Sequence, residues 1–247
     1  MAKGLAAVAF LALLALLTVS PACDGGGGPA IDIKDFDTAR FTVSQTTTSG
    51  GQVGRLTGEG VIDNRRQALS LTYENEQGRP TVAIGRTVYI YDEEGQRWAS
   101  YTEPTDGQVG FGRPYWPQFW RDAVQIQNLG GESLPTAETT RYLLTFDPER
   151  VRKRLQSPDA ADELQVLQAE VEVWVDVESQ YAVQLTFRLE LSYGTTSAAT
   201  EITSNFSDFG TEVQIEAPEV TTPTPAPTEP APTEQAPTEP TPTPAGP

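Results

Sequence analysis

The chain has 247 residues and a formal net charge of −17, with one cysteine and no histidine. These counts exclude disulfides within the domain, zinc sites of histidine and cysteine, and a histidine general base. The acidity argues against nucleic acid or anionic lipid headgroups as partners of the surface as a whole. Carboxylates remain as catalytic acids or bases, but no pair is singled out. An enzyme is therefore the least favoured class, and we predict no metal or cofactor.

The N-terminus predicts export from the cytoplasm. A basic start at Lys3 precedes the apolar run Leu5–Leu17, which is too short to span a bilayer and leads to small residues. We interpret residues 1–22 as a signal peptide and Cys23 as a lipidated residue at a bacterial lipobox, followed by a Gly-rich spacer up to residue 30. Ser20 stands where a lipobox usually has Leu or Val, so cleavage by an ordinary signal peptidase and release of a soluble protein remain the alternative.

The C-terminal residues 219–247 are rich in proline, threonine and glutamate, with repeats of Ala-Pro-Thr-Glu. Aliphatic side chains are almost absent, so this segment cannot form a core and is predicted to be disordered, with polyproline II character. We interpret it as a solvated stalk or tail. The alternative is a segment that contacts the envelope or carries O-linked sugars on its threonines.

Residues 31–218 are predicted to form a single β-rich domain. In its first half, short alternating runs separated by Gly-containing turns predict an antiparallel meander. These runs are 40–48, 69–73, 81–84 and 87–91, followed by a run near Trp98. In the second half, 170–177 and 183–193 alternate apolar and polar residues over a greater length, which is typical of an antiparallel sheet with one buried face. Strands of this length favour a large, curved sheet or partial barrel.

Three helices are predicted. Asp147-Pro148 provides an N-cap and a proline at the first helical position for a helix over Glu149–Leu155. Ser157-Pro158 repeats this signal for a helix that continues to about Gln168, with Leu164 and Leu167 facing inward. The third is an aromatic segment from about Pro117 to Val124.

The order of these motifs resembles the LppX/LprG-type bacterial lipoproteins, which have a LolA-like fold. The resemblance lies in the hairpin Val88-Tyr89-Ile90 with Trp98, in the Trp174-x-Asp176 strand and the strand after it, and in the closing run Ile202–Val213. It implies a mainly β (α+β) fold, in which a curved antiparallel half-barrel has a few helices covering its concave face. Such proteins bind or transfer acylated lipids in the apolar cavity between sheet and helices. One departure is that only residues 31–39 stand where the family has a full first helix, with Ile31, Ile33 and Phe36 available to pack.

Two sets of site residues follow. The predicted cavity residues are apolar members of the alternating strands, namely Phe41, Val43, Leu69, Leu71, Tyr73, Val82, Ile84, Val173, Val175, Leu185, Phe187 and Leu189. The predicted gate or lid is an aromatic segment flanked by two arginines, with Phe111, Arg113, Tyr115, Trp116, Phe119, Trp120 and Arg121. Trp and Tyr prefer the membrane interface, and arginine binds phosphate or carboxylate through paired hydrogen bonds. The alternative is a loop and helix that pack their rings over the open sheet.

The sequence thus predicts a lipoprotein of the extracytoplasmic space, anchored to the cell membrane of a bacterial envelope. Its expected function is to bind or transfer a lipid or glycolipid, with no covalent chemistry. The alternative is a non-transporting envelope sensor that uses the same scaffold to bind a protein partner. We expect a monomer.

Overall fold

The computed structural model describes residues 31–74, 78–92, 96–102, 120, 123–155 and 164–220, without the side chains of 153–155. These residues form eleven strands and one helix. The elements are β1 (Thr38–Ser49), β2 (Gln52–Asp63), β3 (Ala68–Tyr73), β4 (Thr81–Ile84), β5 (Thr87–Asp92), β6 (Arg97–Thr102), β7 (Ala123–Ser133), β8 (Glu138–Phe146), α1 (Pro148–Leu155), β9 (Leu164–Asp176), β10 (Ala182–Tyr193) and β11 (Thr196–Ser207). Within these residues, no helix is long and apolar enough to cross a bilayer.

All strands belong to one open antiparallel sheet in the order β6-β5-β4-β3-β2-β1-β11-β10-β9-β8-β7. Its centre joins the first strand to the last, because Phe41 on β1 lies opposite Gly60 on β2 and Phe206 on β11. Two meanders, β1–β6 and β7–β11, are therefore united by this central pairing. The prediction of a mainly β protein with an antiparallel sheet is confirmed.

The two faces of the sheet differ in chemistry. We call the face that carries the main core cluster the inner face; its buried members include Phe41, Leu71, Val173 and Leu185. On the opposite outer face, β1 exposes Arg40, Thr42 and Ser44. This division follows from the period of two, because successive side chains of a strand point to opposite faces.

The helical predictions are only partly confirmed. α1 begins at Pro148, where Asp147 caps it by accepting hydrogen bonds from the backbone N–H of Arg150 (side-chain oxygen, 2.9 Å) and of Val151 (main-chain oxygen, 3.0 Å). Val151 is buried in the core. Among the described residues α1 is the one helix, so the predicted helical cover of the inner face is not confirmed.

The helix predicted to run to Gln168 is wrong over its described part. Residues 164–168 begin β9, with Leu164 and Val166 buried and Leu167 52% exposed. They pair with Tyr193 and Leu191 of β10. This segment forms a strand because the apolar residues Leu164 and Val166 are two residues apart and share the buried face. Leu167 has no partner in the β9–β10 pairing because it lies at a β-bulge.

The aromatic helix predicted to end at Val124 is also wrong at its described end. Ala123 and Val124 begin β7. β7 and β8 were not predicted as strands, although Tyr142, Leu144 and Phe146 alternate on β8 and pack in or against the core.

The closing strand is shifted relative to the prediction. β11 starts at Thr196 and ends at Ser207, after which the chain turns with positive φ at Asp208 (51°) and Gly210 (76°). The N-terminal segment 31–37 is not helical. It buries Ile31, Ile33 and Phe36 in the core cluster, as the sequence predicts.

Candidate functional site

The inner face brings together ten of the twelve predicted cavity residues. Seven are buried in the core cluster, and Val43, Tyr73 and Phe187 are partly buried against it. The seven buried residues are Phe41, Leu69, Leu71, Val173, Val175, Leu185 and Leu189. The register confirms the common face, since Leu185 lies opposite Val173 and Phe41 lies opposite Gly60, which in turn lies opposite Leu71.

Val82 and Ile84 do not belong to this set, and their assignment needs correction. Val82 lies opposite Ser70, which alternates with Leu69 and Leu71, so it points to the outer face. There Val82 and Ile84 pack in a second cluster with Val213 and Ile215. The C-terminal segment covers this part of the outer face, and β4 is therefore buried on both sides.

The predicted gate lies almost wholly outside the described residues. Phe111, Arg113, Tyr115, Trp116, Phe119 and Arg121 fall there, as does Cys23. Trp120 is described, and it packs half-buried against the core cluster. The gate and the lipidation site stay predictions.

Small residues lie in the middle of one row across the inner face. In this row Tyr73 lies opposite Gly58, which lies opposite Val43. The row continues through Ser204 to Leu185, Val173 and Tyr142. Gly58 is buried, with a ring carbon of Tyr73 in the space where its side chain would lie. The half-buried Val43 and Ser204 therefore form a low floor between larger side chains, which we call the central trough.

Glycine is required beside the trough because neighbouring atoms occupy the space of a side chain. A Cβ on Gly60 would lie 2.3 Å from the Ser70 oxygen and 2.5 Å from Cζ of Phe41. A Cβ on Gly58 would lie 2.5 Å from the Thr72 oxygen and 3.2 Å from a ring carbon of Tyr73. The two rings therefore pack close to the backbone of β2, as glycine in a strand permits.

Polar groups on the inner face of the six central strands are uncharged. Next to the trough, Gln45 donates from Nε2 to the Thr47 hydroxyl (3.0 Å), which lies 3.3 Å from the Thr200 hydroxyl. Burial raises the pKa of Tyr73 to about 12, because the phenolate would lose its hydration. Across β1, β2, β3, β9, β10 and β11, alternation assigns every charged residue to the outer face.

One end of the inner face is closed by aromatic rings. Phe36 contacts Phe209 (centroids 5.3 Å apart), Phe206 (6.1 Å) and Tyr181 (6.3 Å). Tyr181 stacks on Phe209 at 4.7 Å. The N-terminal segment is held there by the Lys34 N–H, which donates to the Gln180 carbonyl (2.9 Å). This contact fixes residues 31–37 over the strand ends.

The outer face carries a ladder of alternating charges across five strands. Glu172, 8% exposed, accepts hydrogen bonds from Arg141 and Arg188. Arg141 also reaches Glu132 (3.2 Å), and Arg188 reaches Glu201 (2.8 Å). Burial alone raises the pKa of the Glu172 carboxyl, but hydrogen bonds from Arg188 and Arg141 outweigh it and hold the pKa below its ordinary value.

Trp174 neighbours this ladder, with the Arg141 guanidinium 5.0 Å from the ring centroid. Asp176 ends the strand by capping the next turn, accepting from the Ser179 hydroxyl and from the N–H groups of Ser179 (3.0 Å) and Glu178 (3.3 Å). The Ser179 hydroxyl is the main reason that the pKa of Asp176 is lowered. These groups hold the sheet together.

Two further features bear on binding. A hollow of about 290 Å³ lies where the β1–β2 and β10–β11 turns meet, away from the central trough, with Thr48, Gly51, Glu190 and Thr196 in its wall. Among the described residues, no group of three or more histidine, cysteine, aspartate or glutamate side chains is arranged to hold a metal ion.

The described residues define the class of fold: one open, mainly β, antiparallel sheet. Among solved structures the chain is similar to the lipoprotein LppX from Mycobacterium tuberculosis, with 17% identity, 71% of this chain and 89% of the other covered, and a TM-score of 0.43. It is similar to LprF from Mycobacterium bovis, with 8% identity, coverages of 74% and 90%, and a TM-score of 0.36.

A third similarity is to a Vibrio parahaemolyticus domain described as of the outer membrane lipoprotein-sorting type, with 10% identity, coverages of 74% and 89%, and a TM-score of 0.32. No protein family profile and no curated protein matches the chain. The predicted resemblance to LppX/LprG-type proteins is confirmed as a resemblance. These low scores carry no weight for function, which has to be argued from the residues of this chain.

Proposed function

We propose that the chain is an extracytoplasmic lipoprotein, anchored by an acylated Cys23, which binds acyl chains against the inner face of its sheet. Binding requires no covalent chemistry, because apolar contact supplies the affinity. The observation that carries the proposal is the central trough: a floor of small side chains on an apolar, uncharged face.

The composition of the face supports an acyl ligand. The chain has 51 charged residues, counted as 17 basic and 34 acidic, yet six central strands keep all of theirs on the outer face. Most apolar side chains of this face already pack against one another, but Val43, Tyr73 and Phe187 are only partly buried. An apolar partner would remove their remaining exposed surface from water, which is favourable. Each methylene removed from water contributes about 0.8 kcal/mol, so an acyl chain of ordinary length provides ample binding energy.

The half-buried side chains support binding along the trough. Val43, Tyr73 and Phe187 pack at the margin of the buried cluster. An acyl chain that lies over Val43 and Ser204 would also contact Tyr73 and Phe187. Ligand pockets are typically apolar with few polar groups, and Gln45, Thr47 and Thr200 provide such groups beside the trough.

The proposal is tested by filling the trough. Val43→Phe adds a ring to its floor, and Ser44→Phe adds the same ring to the outer face at the next residue, which is exposed. If the ring displaces about four methylenes, affinity for an acyl chain falls roughly 200-fold. The measurement is binding of radiolabelled palmitate to delipidated protein, with native mass spectrometry of the protein as purified.

We expect the wild type and Ser44→Phe to bind alike and Val43→Phe to bind much more weakly. Equal binding by both variants would contradict the trough as the site. Absence of bound lipid in the wild type, together with a captured envelope protein, would favour the sensor function instead.

The anchor is tested separately. Metabolic labelling with a radioactive fatty acid should tag the wild type and leave Cys23→Ser unlabelled, because the chain has one cysteine. Equal labelling of the two would remove the anchor from the proposal and leave acyl binding to be judged by the trough variants.

A further inference from the structure

The outer face of β5 and β6 carries an aromatic patch formed by Tyr89, Tyr91 and Trp98. Tyr91 lies opposite Trp98, with ring centroids 5.5 Å apart at 66°. Tyr89 precedes Tyr91 by two residues and so shares its face. All three side chains are only half-buried. A row of tyrosine and tryptophan rings on a β-sheet is the surface chemistry that recognises proline-rich chains in the polyproline II conformation.

The C-terminal strap, residues 208–220, leads toward this patch. It starts at β1, where the Gly210 N–H donates to the Thr38 carbonyl (2.9 Å) and the Thr38 hydroxyl donates to the Thr211 carbonyl (2.7 Å). Further along, Val213 and Ile215 are buried with Ala68 of β3 and Val82 of β4. Tyr89 and Trp98 pack at the edge of the same cluster. The strap thus crosses the sheet in the direction from β1 to β6.

The last residues of the strap are long enough to reach from β4 to the aromatic patch. β4 and β6 are two strands apart, about 10 Å at the usual strand spacing. The five residues that follow Ile215 in the strap span about 16 Å when extended. Residue 221 therefore begins within reach of Tyr91 and Trp98. From there the sequence continues with Pro223, Pro225 and Pro227, and residues 221–247 hold ten of the chain's twenty prolines.

The charges of the chain are compatible with a contact between residues 221–247 and the aromatic patch. Residues 221–247 contain three glutamates and no basic residue. Most of the protein would repel such a segment, because the chain as a whole carries −17. Within 64–102, five arginines balance five acidic residues, so this quarter of the domain is neutral. The aromatic patch therefore lies in a part of the chain that has no net charge to repel the acidic segment.

We propose that the proline-rich segment 221–247 docks on the aromatic patch of its own chain, with the first prolines against Tyr91 and Trp98. Proline rings stack on aromatic faces, and Tyr hydroxyl and Trp indole N–H groups are donors for the carbonyls that a polyproline II chain leaves unpaired. Docking would hold the C-terminus on the outer face, away from the central trough.

The test uses the chain with Cys23→Ser and Ala231→Cys, which places a paramagnetic label on a single thiol. The measurement is loss of amide NMR signal in the sheet. We expect selective loss in β5 and β6 relative to β9 and β10. The tether alone brings the label near the sheet, so the control is the same chain with Pro223→Ala, Pro225→Ala and Pro227→Ala. This control keeps the length and charge of the segment, and its signal loss should fall to a weak, unselective level.

A second pair of variants tests the patch. Tyr91→Ala with Trp98→Ala should abolish the selective loss, whereas Glu229→Gln with Glu234→Gln should preserve it. Equal loss in the proline control and the parent chain would overturn docking. Signal loss that appears only between labelled and unlabelled molecules mixed together would also overturn it, because the segment would then bind another copy.

Discussion

Gly60 offers a sharp test of how the inner face is packed. In Gly60→Ala the new methyl would lie 2.3 Å from the Ser70 carbonyl oxygen and 2.5 Å from the Phe41 ring. Ordinary contacts of a Cβ lie at 3.4–4 Å, so the ring and the β3 backbone both have to move by about an ångström. Backbone shifts of this kind cost about 1–3 kcal/mol, and we expect the upper half of that range because one of the two obstacles is main chain.

The matched control is Gly54→Ala on the same strand. Its methyl would lie 4.0 Å from the Thr47 carbonyl oxygen, an ordinary contact. With no clash, the smaller entropy of the unfolded chain should make this variant neutral or more stable by up to about 1 kcal/mol.

The assay is urea unfolding followed by fluorescence, in which the midpoint falls in proportion to the lost free energy while the slope stays constant. Phe41→Leu removes the obstructing end of the ring, so Gly60→Ala should cost less in that background. Equal midpoints for Gly60→Ala and Gly54→Ala would refute this account of the packing.

The remaining predictions concern other parts of the sheet. The pKa of Glu172 is lowered on folding. The ionised carboxylate therefore stabilises the folded protein at pH values above its unfolded pKa, and this stabilisation is lost as pH falls through its folded pKa. Glu172→Gln should flatten the acid limb of a urea-midpoint profile and cost about 3 kcal/mol, whereas Glu201→Gln, half-exposed, should cost less than about 1 kcal/mol. Leu144→Ala should cost about 2–5 kcal/mol because Leu144 is fully buried. Leu143→Ala, half-buried on the other face, should cost much less. The phenol of Tyr73 should ionise near pH 12 in an ultraviolet titration, and its stabilising effect is lost as pH rises from about 10 to about 12.

Long alternating strands were predictable because one face is apolar and the other polar. β10 is the clearest case, with Leu185, Leu189 and Leu191 buried as the pattern indicates. Its start was displaced, because Ala182 lies opposite Val175 while Gln184 lies opposite Trp174. This bulge turns Ala182 into the core in place of Val183. A bulge inserts one residue without any composition signal that the pattern could detect.

Strands that are buried on both faces lack the alternation of apolar and polar residues from which a strand and its faces can be predicted. β4 is buried from Thr81 to Ala83, because the core lies on one side and the C-terminal strap on the other. Without alternation, the sequence could not decide which face Val82 occupies. Leu164 and Leu167, three residues apart, imitate the spacing of a helix, and only the pairing with β10 establishes the strand.

The outer face explains how the inner face can keep a floor of small side chains. The register of five strands is fixed from outside by the ladder around Glu172, since a slip of one residue would bring this carboxylate onto the apolar face. A small residue at Ser204 is therefore compatible with a fixed register of the sheet. It follows that Glu172→Gln should lower stability while the folded protein still binds an acyl chain, and that Val43→Phe should weaken binding at nearly unchanged stability. If either variant altered stability and acyl-chain binding together, the two properties would not be assigned to separate faces. The argument from the outer-face charges and the central trough would then fail.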